Sequence, residues 1–228
     1  MCGISGIIDF ENKDIRLEDI NQMMSLMKHR GPDDEGVFIE KNIGFGFVRL
    51  SIIDLTDKGH QPMFSNDGRY AIIYNGEVYN YLEIRRELEK KYTFSSKTDT
   101  EVVLTAFQEW GKDCLNKFNG MFAFAILDLK TSNVFIARDR YGIKPLFYYY
   151  DKNKLIFASE IKSILPLIEN EPNYNIIYDY LMFNRTDHSE NTFFKNIKRL
   201  NPGSLMEISN KGNLIIKKWY DLNDKINL

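Results

Sequence analysis

Short apolar runs that return on themselves across turn residues dominate this sequence. Val37–Ile39 is followed by Ile43–Val48, and Met121–Leu129 by Asn133–Arg138 through Lys130-Thr131-Ser132. Leu146–Tyr150 and Leu155–Ala158 flank Asp151-Lys152-Asn153, and Ser204–Ile208 and Leu214–Lys218 flank Asn210-Lys211-Gly212. Runs this close can pair only antiparallel, because a parallel neighbour needs a crossover of about a dozen residues or more. Further strands are predicted at Gly3–Phe10 and at Tyr70–Tyr74, the latter ending at Asn75-Gly76, and residues 51–68 read as loop. Helical spacing comes in groups between the strands, at Leu17–Met27, Tyr81–Lys91 and Thr100–Trp110, with shorter candidates at Glu160–Leu165 and Tyr174–Met182. This order argues against a βαβ sheet and predicts α+β layers.

Composition removes several classes of function. A chain of 228 residues with 43% hydrophobic and 14% aromatic residues can build a core. Lys and Arg number 30 against 32 Asp and Glu, so the basic excess of a nucleic-acid binder is missing. The locally basic stretch 195–218 reads as a solvated face or a protein contact. Two cysteines cannot make a disulfide framework or a four-ligand zinc site. The longest apolar run, Met121–Leu127, is too short for a membrane span, and MCGISGIIDF is no secretory leader. A cytoplasmic protein without membrane contact is expected. There is no phosphate-binding loop, and Arg49 stands where a dinucleotide motif begun at Gly44 and Gly46 needs its third glycine. Three dispersed histidines have no ligand spacing, so neither a metal nor a cofactor is expected in this domain.

Cys2 carries the first chemical signal. A lone cysteine is more often a packing residue than a nucleophile. Removal of Met1, which a small second residue permits, puts a thiol and a free α-amine on one residue. That amine has a reference pKa of ~8, which suits it to act as a base toward its own thiol. An acyl-transfer nucleophile also needs an oxyanion site. The Asn75 side chain and the Gly76 backbone N–H are suitable donors. The competing reading is a plain Asn-Gly hairpin turn. Cys114, on a helical stretch after Trp110-Gly111, reads as core packing.

The segments MCGISGI, HRGPD, RLSIIDL, YNGEVYN, SKTDTEVVL, NGMFAFAI, RDRYGIKPLFY and ASEIKSIL occur in this order. Together they resemble the class II glutamine amidotransferase domain of asparagine synthetase-type enzymes. The resemblance covers essentially the whole chain. It implies an N-terminal-nucleophile hydrolase fold, a four-layer α-β-β-α sandwich of two antiparallel sheets. It also implies L-glutamine as substrate. Cys2 matches the nucleophile, Asn75 and Gly76 the oxyanion hole, and Arg49 the partner of the glutamine α-carboxylate. Leu50, Ser51, Ile52 and Ile53 would line the same pocket, and Glu77 and Asp99 would lie near the α-ammonium. Each has a plainer reading: Arg49 as a strand-closing ion pair, and Asp99 as a first-turn residue beside a Thr98–Glu101 capping box. His29–Asp33 reads as a loop beside the pocket or a structural turn, and Arg138–Arg140 with Gly142–Pro145 as scaffolding without catalysis.

The resemblance implies a glutaminase domain over 2–218, with 219–228 beginning a linker to an ATP-dependent synthetase domain that would use ATP and Mg. The alternatives are a stand-alone glutaminase subunit, an amidotransferase for another acceptor such as a sugar carboxylate, or a catalytically silent regulatory domain. A homodimer is left open.

Overall fold

The computed structural model describes residues 1–226. Twelve strands run in chain order. They are β1 (Gly3–Asp9), β2 (Asp34–Glu40), β3 (Ile43–Arg49), β4 (Met63–Phe64), β5 (Tyr70–Val78) and β6 (Gly120–Asp128), then β7 (Asn133–Arg138), β8 (Phe147–Tyr150), β9 (Lys154–Ala158), β10 (Ile197–Arg199), β11 (Ser204–Ile208) and β12 (Leu214–Lys218). The α-helices are α1 (Leu17–Ser25), α2 (Tyr81–Leu88), α3 (Asp99–Trp110), α4 (Cys114–Lys117) and α5 (Tyr174–Phe183). The strands form two six-stranded antiparallel sheets, ordered β10-β8-β9-β1-β3-β2 and β12-β11-β7-β6-β5-β4.

Strand alternation builds the layers. Every second side chain of β1, β3 and β5 turns inward: Ile4 and Ile8, Phe45 and Phe47, and Ile73 meet between the sheets. The opposite parity faces out. Ile7 and Val48 pack against Ile20, Met23 and Met24 of α1, while Ile72, Tyr74 and Val78 pack against Ile84 of α2 and Val102 and Val103 of α3. The result is helix, sheet, sheet, helix. Cys114 is buried in the α2–α3 layer as packing.

Several local expectations are corrected. Asn75-Gly76 is not a turn: β5 continues to Val78, with Asn75 paired to Ala123 and Gly76 to Phe122. A hairpin turn of that type needs positive φ, and Gly76 is not among the positive-φ residues. Its glycine answers a close approach instead, since a Cβ there would sit 2.6 Å from the Met121 carbonyl oxygen. The 51–68 loop contains a 3-10 turn at Asp57–Gly59 and the two-residue β4. Glu160–Leu165 forms 3-10 turns, Ile161–Ser163 and Leu165–Leu167, not an α-helix. The short β10 carried no sequence signal of its own.

The capping box at α3 is split. The Thr98 hydroxyl accepts from Glu101 N–H at 3.2 Å, but the Glu101 carboxylate reaches past Thr98 to Ser95 and Ser96 N–H at 2.8 and 2.7 Å. The basic stretch is a solvated face, with Lys195, Lys198 and Lys217 paired to Glu171, Glu190 and Glu207. Trp219 stacks on Phe122 and donates to the Arg138 carbonyl at 3.1 Å, so this part of the expected linker lies against the sheet. Residues 227–228 of that linker lie outside the described residues.

Candidate active site

A cavity of about 270 Å³ lies where β1 begins, β3 ends and β5 outruns β4. The short partner strand decides the chemistry available there. β4 pairs only with Ala71 and Ile72, so β5 is an edge from Tyr74 onward. Edge N–H groups need other partners. Tyr74 N–H donates to Gln61 Oε1 at 2.6 Å and Val78 N–H to Asp99 Oδ2 at 3.0 Å. Backbone alternation aims the Gly76 N–H, midway between them, toward the same side. Asn75 has the inward parity of Ile73. It is 1% exposed, and its Nδ2 has no hydrogen-bond partner among the described residues. A buried amide left unpaired is costly and points to a ligand atom that completes it.

Cys2 extends the inward parity of Ile4 and Ile8 and brings its thiol to the same cavity. Leu50 N–H lies 3.4 Å from Sγ and the Leu50 carbonyl 3.6 Å. Burial pushes the Cys2 thiol up from its ordinary range, and the Leu50 N–H opposes that shift. Arg30 Nε donates to the Cys2 carbonyl at 3.0 Å and its Nη1 reaches Glu160 at 3.0 Å, so HRGPD braces the start of β1. Asp33 of the same motif accepts from Ser51 N–H at 2.8 Å.

Arg49 also lies on the cavity wall, buried at the end of β3. Its Nη1 donates to the Thr56 carbonyl at 3.0 Å and its Nη2 to the Asp54 carbonyl. Among the described residues it forms no strand-closing ion pair. The loop after β3 wraps the guanidinium so closely that a Cβ at Gly59 would overlap Nη2. A guanidinium has five N–H donors, so donors remain for a carboxylate. Across the cavity, Asp99 Oδ2 also accepts the Tyr74 hydroxyl at 2.7 Å. Burial pushes the Asp99 carboxyl up, while the Tyr74 and Val78 hydrogen bonds pull it down.

Cys2, Arg49, Leu50, Ile52, Ile53, Asn75, Gly76, Glu77 and Asp99 therefore line one cavity. Ser51 is placed apart: it is not in the lining, and its backbone is tied to Asp33. Gln61, Tyr74 and Lys144 also line it and were not anticipated. Tyr74 has the outward parity and packs on the helix side, so strand parity alone does not mark it as a cavity residue. No local signal marks Gln61, whose side-chain amide also donates to Thr100 Oγ1 at 3.3 Å. A larger hollow of about 620 Å³ around Arg69, Phe107 and Phe135 contains none of these groups. Among the described residues no group of three or more His, Cys, Asp or Glu side chains is placed to hold a metal, and no helix is long and apolar enough to cross a membrane.

A cysteine and a buried, unpaired amide thus line one cavity, an arrangement suited to acyl transfer. A family model described as "Glutamine amidotransferase domain" matches residues 1–220, and the chain belongs to that family. It is 38% identical over 230 residues to asparagine synthetase [glutamine-hydrolyzing] 1 of Bacillus subtilis, covering 99% of this chain and 36% of that protein. It is 38% identical over 218 residues to asparagine synthetase [glutamine-hydrolyzing] 2 of the same organism, covering 92% of this chain and 29% of that protein. The chain thus spans about a third of the length of these relatives. A solved glutamine phosphoribosylpyrophosphate amidotransferase from B. subtilis, complexed with ADP and GMP, superposes with a TM-score of 0.71 at 17% identity, over 96% of this chain and 49% of that one. That likeness is one of fold.

Proposed function

We propose that the domain hydrolyses L-glutamine to L-glutamate and ammonia through Cys2. The unpaired, buried Nδ2 of Asn75 in the cavity that Cys2 also lines carries this reading. After removal of Met1, the Cys2 α-amine takes the thiol proton and Sγ attacks the side-chain carboxamide carbon. The negative oxygen is held by Asn75 Nδ2 and Gly76 N–H. The carbon–nitrogen bond breaks as the amine returns its proton to the leaving nitrogen, and ammonia departs. Water then attacks the γ-glutamyl thioester, releasing glutamate and the thiol. Arg49 grips the substrate α-carboxylate and Asp99, with Glu77, the α-ammonium.

The relatives' names and greater length support a longer assembly. In this reading the ammonia passes to an ATP-dependent synthetase domain, which holds ATP and Mg, with aspartate as acceptor.

Intact mass and ammonia release, wild type beside Cys2→Ala, test the assignment. A wild-type mass lacking Met1, with ammonia and glutamate in equal amounts and none from the variant, is expected. Turnover surviving in Cys2→Ala overturns it.

A further inference from the structure

The turn after β7 does more than close an edge. Asp139 is fully buried, and its carboxylate accepts from Phe122, Tyr141, Ile143 and Lys144 N–H groups at 3.0 to 3.2 Å. Arg138 adds bonds to the Lys144 and Gly142 carbonyls at 2.7 and 2.6 Å. So many bonds fix the backbone of residues 139–144 in one conformation. What that conformation presents to the cavity is Lys144, which is 5% exposed. Its Nζ donates to Met1 Sδ at 3.3 Å, and among the described residues no carboxylate pairs with it. A buried ammonium bonded only to a thioether is a poor stability device. The thioether belongs to the residue whose removal would activate Cys2, and that removal takes away the contact and leaves the ammonium in the cavity that Cys2 lines.

We infer that Lys144 is a positioning residue whose fixed positive charge biases the Cys2 α-amine toward its neutral, base-competent form and the Cys2 thiol toward thiolate. The inference rests on the proposed glutaminase mechanism and deepens it. A like charge disfavours a second ammonium nearby, and the same charge favours an adjacent anion. Other charges around the terminus are Arg30, Arg49, Glu77, Asp33 and Asp139, from five separate positions in the chain. Arg30 and Arg49 are anchored to carbonyl oxygens, whereas Lys144 is not. With Met1 in place, burial pushes the Met1 amine down and the Arg30 and Lys144 charges push it the same way, while Cys2 and Asp33 oppose them. Burial also pushes the Lys144 ammonium down, and Cys2, Glu77 and Asp139 oppose that shift.

Two readouts test this, on wild type, Lys144→Met and Lys144→Arg. One is the pH profile of glutaminase kcat/KM, and the other is the pH profile of Cys2 alkylation by iodoacetamide, read from the N-terminal peptide mass. Cys114 is buried with its thiol pushed up, so it does not compete. Lys144→Met is expected to move the acid limb of kcat/KM and the alkylation midpoint to higher pH by about one unit. Lys144→Arg is expected to restore both. Unmoved alkylation and acid-limb midpoints in Lys144→Met, even with a lower rate, overturn the inference and leave the glutaminase reading intact. A shifted alkylation midpoint in a protein that never hydrolyses glutamine upholds the effect of the charge and defeats the glutaminase reading.

Discussion

Over Ala71 and Ile72 strand β5 is covered on both sides, by β4 and by β6; from Tyr74 to Val78 only β6 remains. The covered half does the work of any central strand. Its N–H groups close ladders and its side chains fill two cores. In the open half the same backbone periodicity serves chemistry. Tyr74 and Val78 hand their N–H groups to Gln61 and Asp99, which brings those side chains to the cavity. The Gly76 N–H between them is aimed the same way, and the proposed reaction gives it the substrate oxygen. The site is thus made by ending a neighbouring strand early, and no special turn is required.

That division predicts different consequences for neighbouring residues. Ile73→Ala, in the inner core, should destabilise by about 2–5 kcal/mol, the usual range for a buried Ile truncation. Thermal unfolding measures it, and kcat/KM per folded molecule should be unchanged; a large loss of specific activity would break the division. Gly76→Ala should cost about 1–3 kcal/mol, because its Cβ meets the Met121 carbonyl oxygen at 2.6 Å and Phe122 Cα at 2.8 Å. Unlike Ile73→Ala it should also lower kcat, since β5 must shift away from β6 and carry the oxyanion donors with it. A Gly76→Ala variant with normal turnover would show that the strand edge is not aligned with the thiol.

The smallest effect sharpens the role of the outer parity. Tyr74→Phe removes one hydrogen bond to Asp99 worth about 1.5 kcal/mol and should raise the Asp99 pKa further, because that bond favours the ionised carboxylate. Glutamine binding through an ionised Asp99 weakens as pH falls through that raised value. In Tyr74→Phe the rise in KM toward acid should therefore begin at higher pH than in wild type. The sign for stability is opposite. A carboxyl whose pKa is raised by folding favours the folded state at low pH, and that contribution is lost as pH rises through the folded pKa. A pH series of KM and of melting temperature, free of glutamine, reads both; identical KM profiles would remove Asp99 from substrate binding.

Much of this was legible in the sequence, for unequal reasons. Hairpin spacing gave the antiparallel sheets, because turn residues act locally. Cys2, Arg49, Asn75, Gly76 and Asp99 were reached through ordered motifs, and the cavity gathers them. Local sequence ends the strand at Asn75-Gly76 and leaves a turn open there, because a glycine forced by a neighbouring strand looks the same as one forced by a turn. The split cap at Glu101 and the bridge made by Gln61 depend on segments brought close only by the fold. In the sequence Lys144 reads as scaffold, because the residues around it are scaffold.

The most direct measurement is ammonia release from L-glutamine by Asn75→Ala beside wild type, at saturating substrate. Loss of one oxyanion donor should lower kcat by about 100- to 1,000-fold with KM within a few-fold of wild type. An Asn75→Ala enzyme that keeps wild-type kcat would contradict the assignment of the open strand edge as the oxyanion site.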